Sequence, residues 1–173
     1  MDIAKSIELI ITSADYYGCF INNTEGEYDQ IIWNDSREKP TWDQIVLTYN
    51  NYIFSFLKEQ KQMEIRDKAD SFLDNYAKEY GVYEKITWEQ QSAEAKLFLL
   101  NNNIDEVPLL ATMSSVRQMD ITEFANRIVN NEKNWKIISG YIIGKRLFYQ
   151  DQLDVATTVE EIQNINVVYE YTG

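Results

Sequence analysis

The stretch from Gln30 to Ile45 constrains the fold of this chain more than any other part of its sequence. An apolar run that ends at Trp33 is typical of a strand, and a short polar turn follows it. Pro40 disfavours helical backbone at the residue before it, and Thr41 is followed three positions later by a glutamine, which is a capping-box pattern. The sequence therefore predicts that a small strand module ends here and that a helical array begins.

The segment before this junction predicts a short helix followed by a β-hairpin. Residues 2–12 place isoleucines at helical spacing, and residues 16–21 and 28–33 are typical of strands. The six residues between these two runs include asparagine and glycine, which tolerate the positive φ of a tight turn. Because an isolated hairpin is only marginally stable, we expect the first helix to cover it.

The rest of the chain predicts helices with well-marked starts. Residues 41–80 are helix-compatible and end at Gly81, a typical residue just past a helix C-terminus, although polar residues 58–64 leave open whether this helix bends. Capping patterns and a proline mark the further starts: Thr41/Gln44, Thr87/Gln90, Asp120/Glu123, Thr158/Glu161 and Pro108. The corresponding helices are expected at residues 88–100, 107–117, 120–131, 133–152 and 158–164, and residues 166–171 favour a terminal strand.

These patterns predict a mainly α protein with a small N-terminal β-hairpin, in the α+β class. The chain has 173 residues, enough for one domain with a sizeable core or for two small ones. We expect a helix and hairpin module at residues 1–40, a long connecting helix at 41–81, and a C-terminal helical bundle at 82–173 with the terminal strand.

Charge and composition narrow the function classes. The net charge of −12 disfavours nucleic-acid binding and docking on an anionic membrane, because both need a basic surface. The chain contains no histidine, which excludes Ser-His-Asp and Cys-His catalysis. A single cysteine, Cys19, excludes an intramolecular disulfide and is expected to be a buried thiol. No signal peptide or membrane-spanning run is recognisable, so we expect the chain to act in the cytoplasm where it is made or in a complex assembled there.

Two patterns that approach functional motifs have simpler explanations. The run from Gly140 to Lys145 has one residue too few for a phosphate loop and is followed by Arg146, so close helix packing at its glycines is expected instead. The acidic set of Asp67, Asp70 and Asp74 lies at helical spacing, which favours a solvated helix face over an acid pair or a metal site. We therefore predict no catalytic, cofactor-binding or metal-binding residues and no small-molecule substrate.

The junction resembles a module that is common in small tail proteins of tailed bacteriophages, among them tail-fibre-associated and tail-assembly proteins. The residues that carry this resemblance are Ile7, Tyr28, Ile31, Ile32, Trp33, Asp35, Pro40, Thr41 and Ile45. The second half is similar to a helical domain of such proteins, through Thr87, Trp88, Gln91, Ala93, Glu94, Ala95, Pro108, Leu109, Leu110, residues 121–128, Gly140, Gly144, Ala156 and residues 158–162. Residues 50–80 depart from the pattern because they are richer in Asn, Tyr and Lys.

This resemblance implies a non-enzymatic structural or assembly component of a phage tail, assembled in the host cytoplasm and located in the virion. Its partners would be a tail fibre, the baseplate or a neighbouring tail subunit, with a homo-oligomer as a further option. The hairpin or the terminal strand would pair with a partner edge to edge. The expected anchors are Trp33, Trp42, Tyr28 and Tyr49, since aromatic residues dominate interface hot spots. Packing between hairpin and helix is the stronger alternative for each of them singly.

Three other functions stay open at this point. The main alternative is a tail-fibre assembly chaperone that is not retained in the virion. An acid-pair hydrolase acting on cell-surface glycan would need two suitably spaced carboxylates. An acidic inhibitor that mimics nucleic acid would rest on the net charge alone.

Overall fold

The computed structural model describes residues 1–172 and shows a mainly helical chain with one small antiparallel sheet, which confirms the predicted fold class. The elements follow in the order α1 (Ile3–Ile10), β1 (Tyr16–Tyr17), α2 (Glu25–Asp29), β2 (Ile32–Trp33), α3 (Trp42–Tyr76), α4 (Val82–Asn101), a 3-10 turn (Ile104–Glu106), α5 (Pro108–Val116), α6 (Ile121–Val155) and α7 (Val159–Asn164).

The chain divides into two compact units that share its two longest helices. The first unit contains residues 1–63 and 152–166, and the second contains residues 64–151 and 167–173. Helices α3 and α6 each contribute residues to both. The expected division into residues 1–40, 41–81 and 82–173 stays a prediction.

The core of the first unit forms where α1, the small sheet and the start of α3 meet. Ile3 and Ile7 of α1, Tyr28 and Ile31 of the module, and Ile45 of α3 are buried together. Helix α1 begins at Asp2, whose side chain accepts a hydrogen bond from the Lys5 N–H and satisfies a donor of the first turn. The predicted covering of the sheet module by the first helix is thereby confirmed.

The strands are shorter than predicted, because a helix forms where a turn and a second strand were expected. Tyr16 pairs with Trp33 and Tyr17 with Ile32, and neither strand extends further. Residues 25–29 are helical because Thr24 and Glu27 form a reciprocal capping box, which the sequence reading missed.

The prediction of a buried thiol at Cys19 is also wrong, since Cys19 is exposed. It lies between the short strand β1 and Phe20, and Tyr16 and Phe20 pack against the core instead. The neighbouring Gly18 has φ +151°, and a Cβ there would lie 2.8 Å from Ile31 Cγ2. This glycine is therefore required by the close approach of the backbone to the core.

Helix α3 starts as predicted and runs without interruption from Trp42 to Tyr76. Thr41 Oγ1 accepts from the Gln44 N–H at 3.2 Å, and Gln44 Oε1 accepts from the Thr41 N–H at 2.7 Å, so this capping box is confirmed. The predicted end at Gly81 is wrong, because that glycine precedes α4 as its N-cap residue, with φ −63°.

The start of α4 at Val82 corrects the prediction of a start near residue 88. Thr87 does not cap this helix, since its hydroxyl donates to the Glu84 carbonyl at 2.9 Å and accepts from Gln91 Nε2 at 2.8 Å. A threonine that is engaged with the preceding turn lies inside a helix rather than at its N-terminus.

Helix α6 is continuous, which corrects the prediction of two helices with a break after residue 131. Asp120 accepts from the Glu123 N–H at the predicted start. The polar stretch around Glu132 contains no glycine or proline, and its carboxylate pairs with Lys136 one turn later at 2.7 Å. The expected close packing at Gly140 and Gly144 is wrong, because nothing lies within 4 Å of a Cβ placed at either residue.

The second unit has a core between α4, α5 and the first turns of α6. Pro108 begins α5 as predicted. The buried residues of this core are Ala95, Phe98, Val107, Leu110, Phe124, Ala125 and Ile128. A separate cluster in the same unit joins Ala69 of α3 to Ile138 and Ile142 of α6.

The predicted terminal strand at residues 166–171 is wrong, because no strand forms within residues 165–172. Side chains from the helices bind this segment instead. The Tyr149 hydroxyl donates to the Val168 carbonyl at 3.0 Å and accepts from the Val168 N–H at 3.2 Å. Lys68 Nζ donates to the Val167 carbonyl at 3.0 Å, so three of the backbone groups that a strand would pair are already satisfied.

Candidate functional site

The four predicted anchors all belong to the first unit, but they are not equally accessible. Tyr28 is only 2% exposed, while Trp33, Trp42 and Tyr49 are half-buried. Trp33 and Trp42 pack against the core that contains Tyr28, and the Tyr28 and Trp42 rings lie 5.8 Å apart. The packing interpretation therefore holds for these three residues, and partner binding at the four positions stays a prediction.

Tyr28 joins the sheet module to the start of α3. Its hydroxyl donates to the Pro40 carbonyl, and Lys39 Nζ lies 4.3 Å from the ring centroid while donating to the Tyr28 carbonyl. Burial raises the pKa of the Tyr28 phenol to about 12, with a smaller contribution from Asp29. The phenol is therefore a neutral hydrogen-bond donor that fixes the junction.

Trp33 is held by its strand partner and by the turn that follows. Its ring stacks on Tyr16 at a centroid distance of 6.2 Å and an interplanar angle of 5°, and its Nε1–H donates to the Arg37 carbonyl at 2.8 Å. Asp35 binds the Arg37 guanidinium at 2.6 Å and accepts from the Arg37 and Asp15 N–H groups. These hydrogen bonds, foremost from the Arg37 side chain, hold the pKa of the Asp35 carboxyl far below its usual range.

The opposite face of the sheet is apolar and uncovered. Tyr17 and Ile32 form a directly opposed pair, 75% and 59% exposed, and we call these two side chains the ribbon face. The sequence analysis did not identify Tyr17 as a contact residue, and it named Ile32 only among the residues that carry the resemblance. The alternation of side chains along a strand, which buries Ile31 and directs Ile32 outward, was the signal that could have found one of them.

The second unit contains a cleft of about 620 Å³ between α4, α5, α6 and the residues that follow α3. Four aromatic rings form a continuous series along its wall. The Tyr76 and Trp135 centroids lie 6.0 Å apart, Trp135 and Trp88 5.5 Å apart, and Trp88 and Tyr80 5.1 Å apart. Such a surface accepts apolar or aromatic groups, because the rings offer large area with little side-chain freedom to lose.

Two of the residues that line this cleft, Glu132 and Lys136, belong to a network of charges. Glu132 binds Lys136 at 2.7 Å and Lys96 at 2.6 Å, and these hydrogen bonds, with a smaller contribution from Ser92, lower the pKa of its carboxyl to about 2. Glu132 is consequently a permanent anion at neutral pH. The Ser92 hydroxyl is buried and forms no hydrogen bond of ordinary geometry within residues 1–172.

Sequence reasoning missed this cleft because its wall is assembled from four separate segments. Trp135 stands between Asn134 and Lys136, where no apolar periodicity marks it. A tryptophan in a polar stretch of helix was the one local signal of a specific contact.

No family model, curated protein or solved structure matches this chain. Within the described part of the chain, no three His, Cys, Asp or Glu side chains are grouped so that they could hold a metal ion. None of the helices in residues 1–172 is long and apolar enough to cross a membrane.

Proposed function

We propose that this chain is a non-enzymatic structural or assembly component of a bacteriophage tail that binds a tail fibre, the baseplate or a neighbouring tail subunit. The proposal starts from the resemblance of the Gln30–Ile45 junction to small phage tail proteins. The observation that carries it is the ribbon face, where two large apolar side chains stand opposite each other and exposed on a rigidly supported sheet.

The support beneath the ribbon face makes it suited to binding. Tyr16 and Trp33 stack on the inner side of the same two strands, and Trp33 is fixed further by its hydrogen bond to the Arg37 carbonyl. A pre-ordered apolar pair loses little conformational freedom when a partner covers it. Within residues 1–172 the sheet contains only β1 and β2, so the outer edge of each strand has no partner strand, which favours addition of one from a partner.

The aromatic cleft supplies a second surface for the same function. Its volume of about 620 Å³ suits one or two apolar side chains of a partner. We assign to it the contact of the helical part with a tail subunit, in place of the terminal strand expected from the sequence.

Mass spectrometry of washed mature particles tests the proposal, using phage produced with this chain and with variants of it. Peptides of the chain are expected in the particles. The double variant Tyr17→Ser with Ile32→Thr is expected to be lost from particles while the purified variant keeps its far-UV circular dichroism. Leu47→Ser is the matched control, since Leu47 is a 60% exposed apolar residue of the same unit.

Two results would contradict the proposal. If the wild-type chain is absent from washed particles, the structural role fails and the assembly chaperone becomes the better hypothesis. If the double variant is incorporated as well as the Leu47→Ser control, the ribbon face is not the contact.

A further inference from the structure

Helix α6 carries apolar side chains on two opposite faces. One face contains the buried residues Ile138, Ile142 and Tyr149 of the second unit. At 100° per residue, the other face covers an arc of about 120° on the opposite side of the helix, with the centroid of the Tyr141 ring at its edge 5.4 Å from that of Tyr171. We call it the outer face of α6, and it consists of Lys133, Ile137, Gly140, Tyr141, Gly144, Leu147, Phe148 and Asp151.

The apolar part of the outer face is exposed. Ile137 and Leu147 are each 48% exposed, Tyr141 is 45% exposed, and Phe148 is 55% exposed. Their uncovered area amounts to roughly 400 Å², which reaches the size of the largest apolar patches that monomeric proteins usually show. Patches of this size commonly mark interaction sites.

Three pairs of residues on this face are placed symmetrically about Ile142. Gly140 and Gly144 lie two positions to either side, Ile137 and Leu147 five positions, and Lys133 and Asp151 nine positions. When two copies of a helix pack antiparallel around a two-fold axis, residues at equal distances on either side of the axis meet. Ile137 would therefore meet Leu147, and each Lys133 would meet an Asp151, whereas Tyr141 and Phe148 have no matching residue on this face.

The charges at the two ends of the face are available for such pairing. Lys133 and Asp151 are both exposed, and neither forms an ion pair or hydrogen bond within residues 1–172. In the antiparallel register, Lys133 of one copy would lie against Asp151 of the other at each end of the contact. The glycines at the centre would let the two backbones approach closely, since a Cβ at either would meet nothing within 4 Å in the single chain.

We infer that the outer face of α6 binds a second copy of this chain as an antiparallel, two-fold symmetric helix pair. If Lys133 and Asp151 carried the same charge, like charges would meet at both ends of the antiparallel pair. Their opposite charges therefore favour a second copy of this chain as the partner. The contact buries on the order of 800 Å² from both copies, which is below the usual size of stable interfaces. The dimer is accordingly weak, with a dissociation constant in the range of about 1 to 100 µM.

Sedimentation equilibrium of the full chain between about 1 and 300 µM, at low salt, tests the inference. Lys133→Glu and Asp151→Lys are each expected to weaken the dimer by about tenfold, because each converts two attractive contacts into repulsive ones. The double variant Lys133→Glu with Asp151→Lys restores the attraction in reversed order. Its dissociation constant is expected within about threefold of wild type.

Two matched control variants distinguish the effect of net charge on dimerisation from the effect of the proposed ion pairs. Lys78→Glu and Glu59→Lys change the net charge by the same amounts at exposed positions that are not part of the outer face, and both are expected to leave dimerisation unchanged. Gly144→Leu is expected to abolish the dimer without unfolding the chain, since the space around Gly144 is open. Gly26→Leu, at another open helical glycine, is its control.

Several outcomes would overturn the inference. A wild-type chain that stays monomeric up to about 300 µM would leave the face to a different partner. A dimer that neither charge variant weakens uses another surface. If both single charge variants weaken the dimer and the double variant does not restore its affinity, the two helices pack in a different register.

Discussion

Glu94 offers the sharpest test of how the second unit is stabilised. It lies in α4, is 8% exposed, and its Oε2 accepts a hydrogen bond from the Leu110 N–H at 2.9 Å in the first turn of α5. The N-cap residue of α5, Val107, provides no side-chain acceptor. A carboxylate from a neighbouring helix therefore caps α5 from outside, next to the positive end of its dipole.

The expected cost of Glu94→Ala follows from these contacts. A hydrogen bond to a charged group contributes about 1.5–3 kcal/mol when its buried partner would otherwise be unpaired. The interaction of the carboxylate with the helix N-terminus adds about 0.3–1 kcal/mol. We expect the free energy of unfolding to fall by about 2–4 kcal/mol. Glu94→Gln keeps an acceptor but loses the charge, so it is expected to cost about 1 kcal/mol.

Urea denaturation at pH 7 measures these changes, and hydrogen exchange at the Leu110 amide reports the cap directly. Glu89→Ala, an exposed substitution in the same helix, is the control and is expected within about 0.5 kcal/mol of wild type. If Glu94→Ala lowers the free energy of unfolding no more than this control does, Glu94 does not stabilise the N-terminus of α5. If Glu94→Gln costs as much as Glu94→Ala does, the hydrogen bond contributes nothing.

Three further predictions concern other parts of the chain. Gly18→Ala is expected to lower the free energy of unfolding, measured by urea denaturation, by about 2–4 kcal/mol, because it strains a positive φ and places Cβ 2.8 Å from Ile31 Cγ2. Gly26→Ala, with open space around its Cβ, is expected to raise that free energy by up to about 1 kcal/mol. Equal effects of the two substitutions would contradict this prediction. The pKa of Glu132 is lowered from 4.5 to about 2, so its contribution to stability is present above pH 4.5 and is lost as the pH falls towards 2. Glu132→Gln should flatten the pH dependence of unfolding in that window, and an unchanged profile would count against the ion pairs. Thr41→Ala is expected to lower the free energy of unfolding by about 1 kcal/mol in urea denaturation, because the capping box is lost. A change near zero would show that the cap does not stabilise α3.

The self-association and tail-binding proposals use different surfaces and fail independently. The ribbon face belongs to the first unit and the outer face of α6 to the second. A chain that enters particles but stays monomeric in solution would keep the first proposal and lose the second.

Local sequence determined where several elements begin. The box at Thr41 and Gln44, the one at Thr158 and Glu161, and Pro108 all mark helix starts in the structure. These signals are reliable because a capping side chain bonds to backbone only three residues away. The fold class followed from the same local signals together with the apolar periodicity.

Local sequence signals predicted helix starts wrongly where one segment carried two conflicting patterns. Thr87 has the capping pattern but bonds within α4, and Thr24, which does cap a helix, lies in a stretch that is rich in turn residues. The predicted break in α6 failed for a related reason, since a polar stretch without glycine or proline continues a helix when ion pairs bridge its turns.

Tertiary structure alone decided which surfaces are available. The sequence identified aromatic residues but not that Tyr28 is buried while Tyr17 is exposed, because burial depends on what packs opposite. The cleft wall joins residues from α3 to α6 that no spacing connects. The capping of α5 by Glu94 and the binding of the C-terminal segment by Tyr149 are likewise contacts between residues distant in sequence. The sequence by itself therefore determined the fold class and several helix starts, and packing decided the faces on which any function depends.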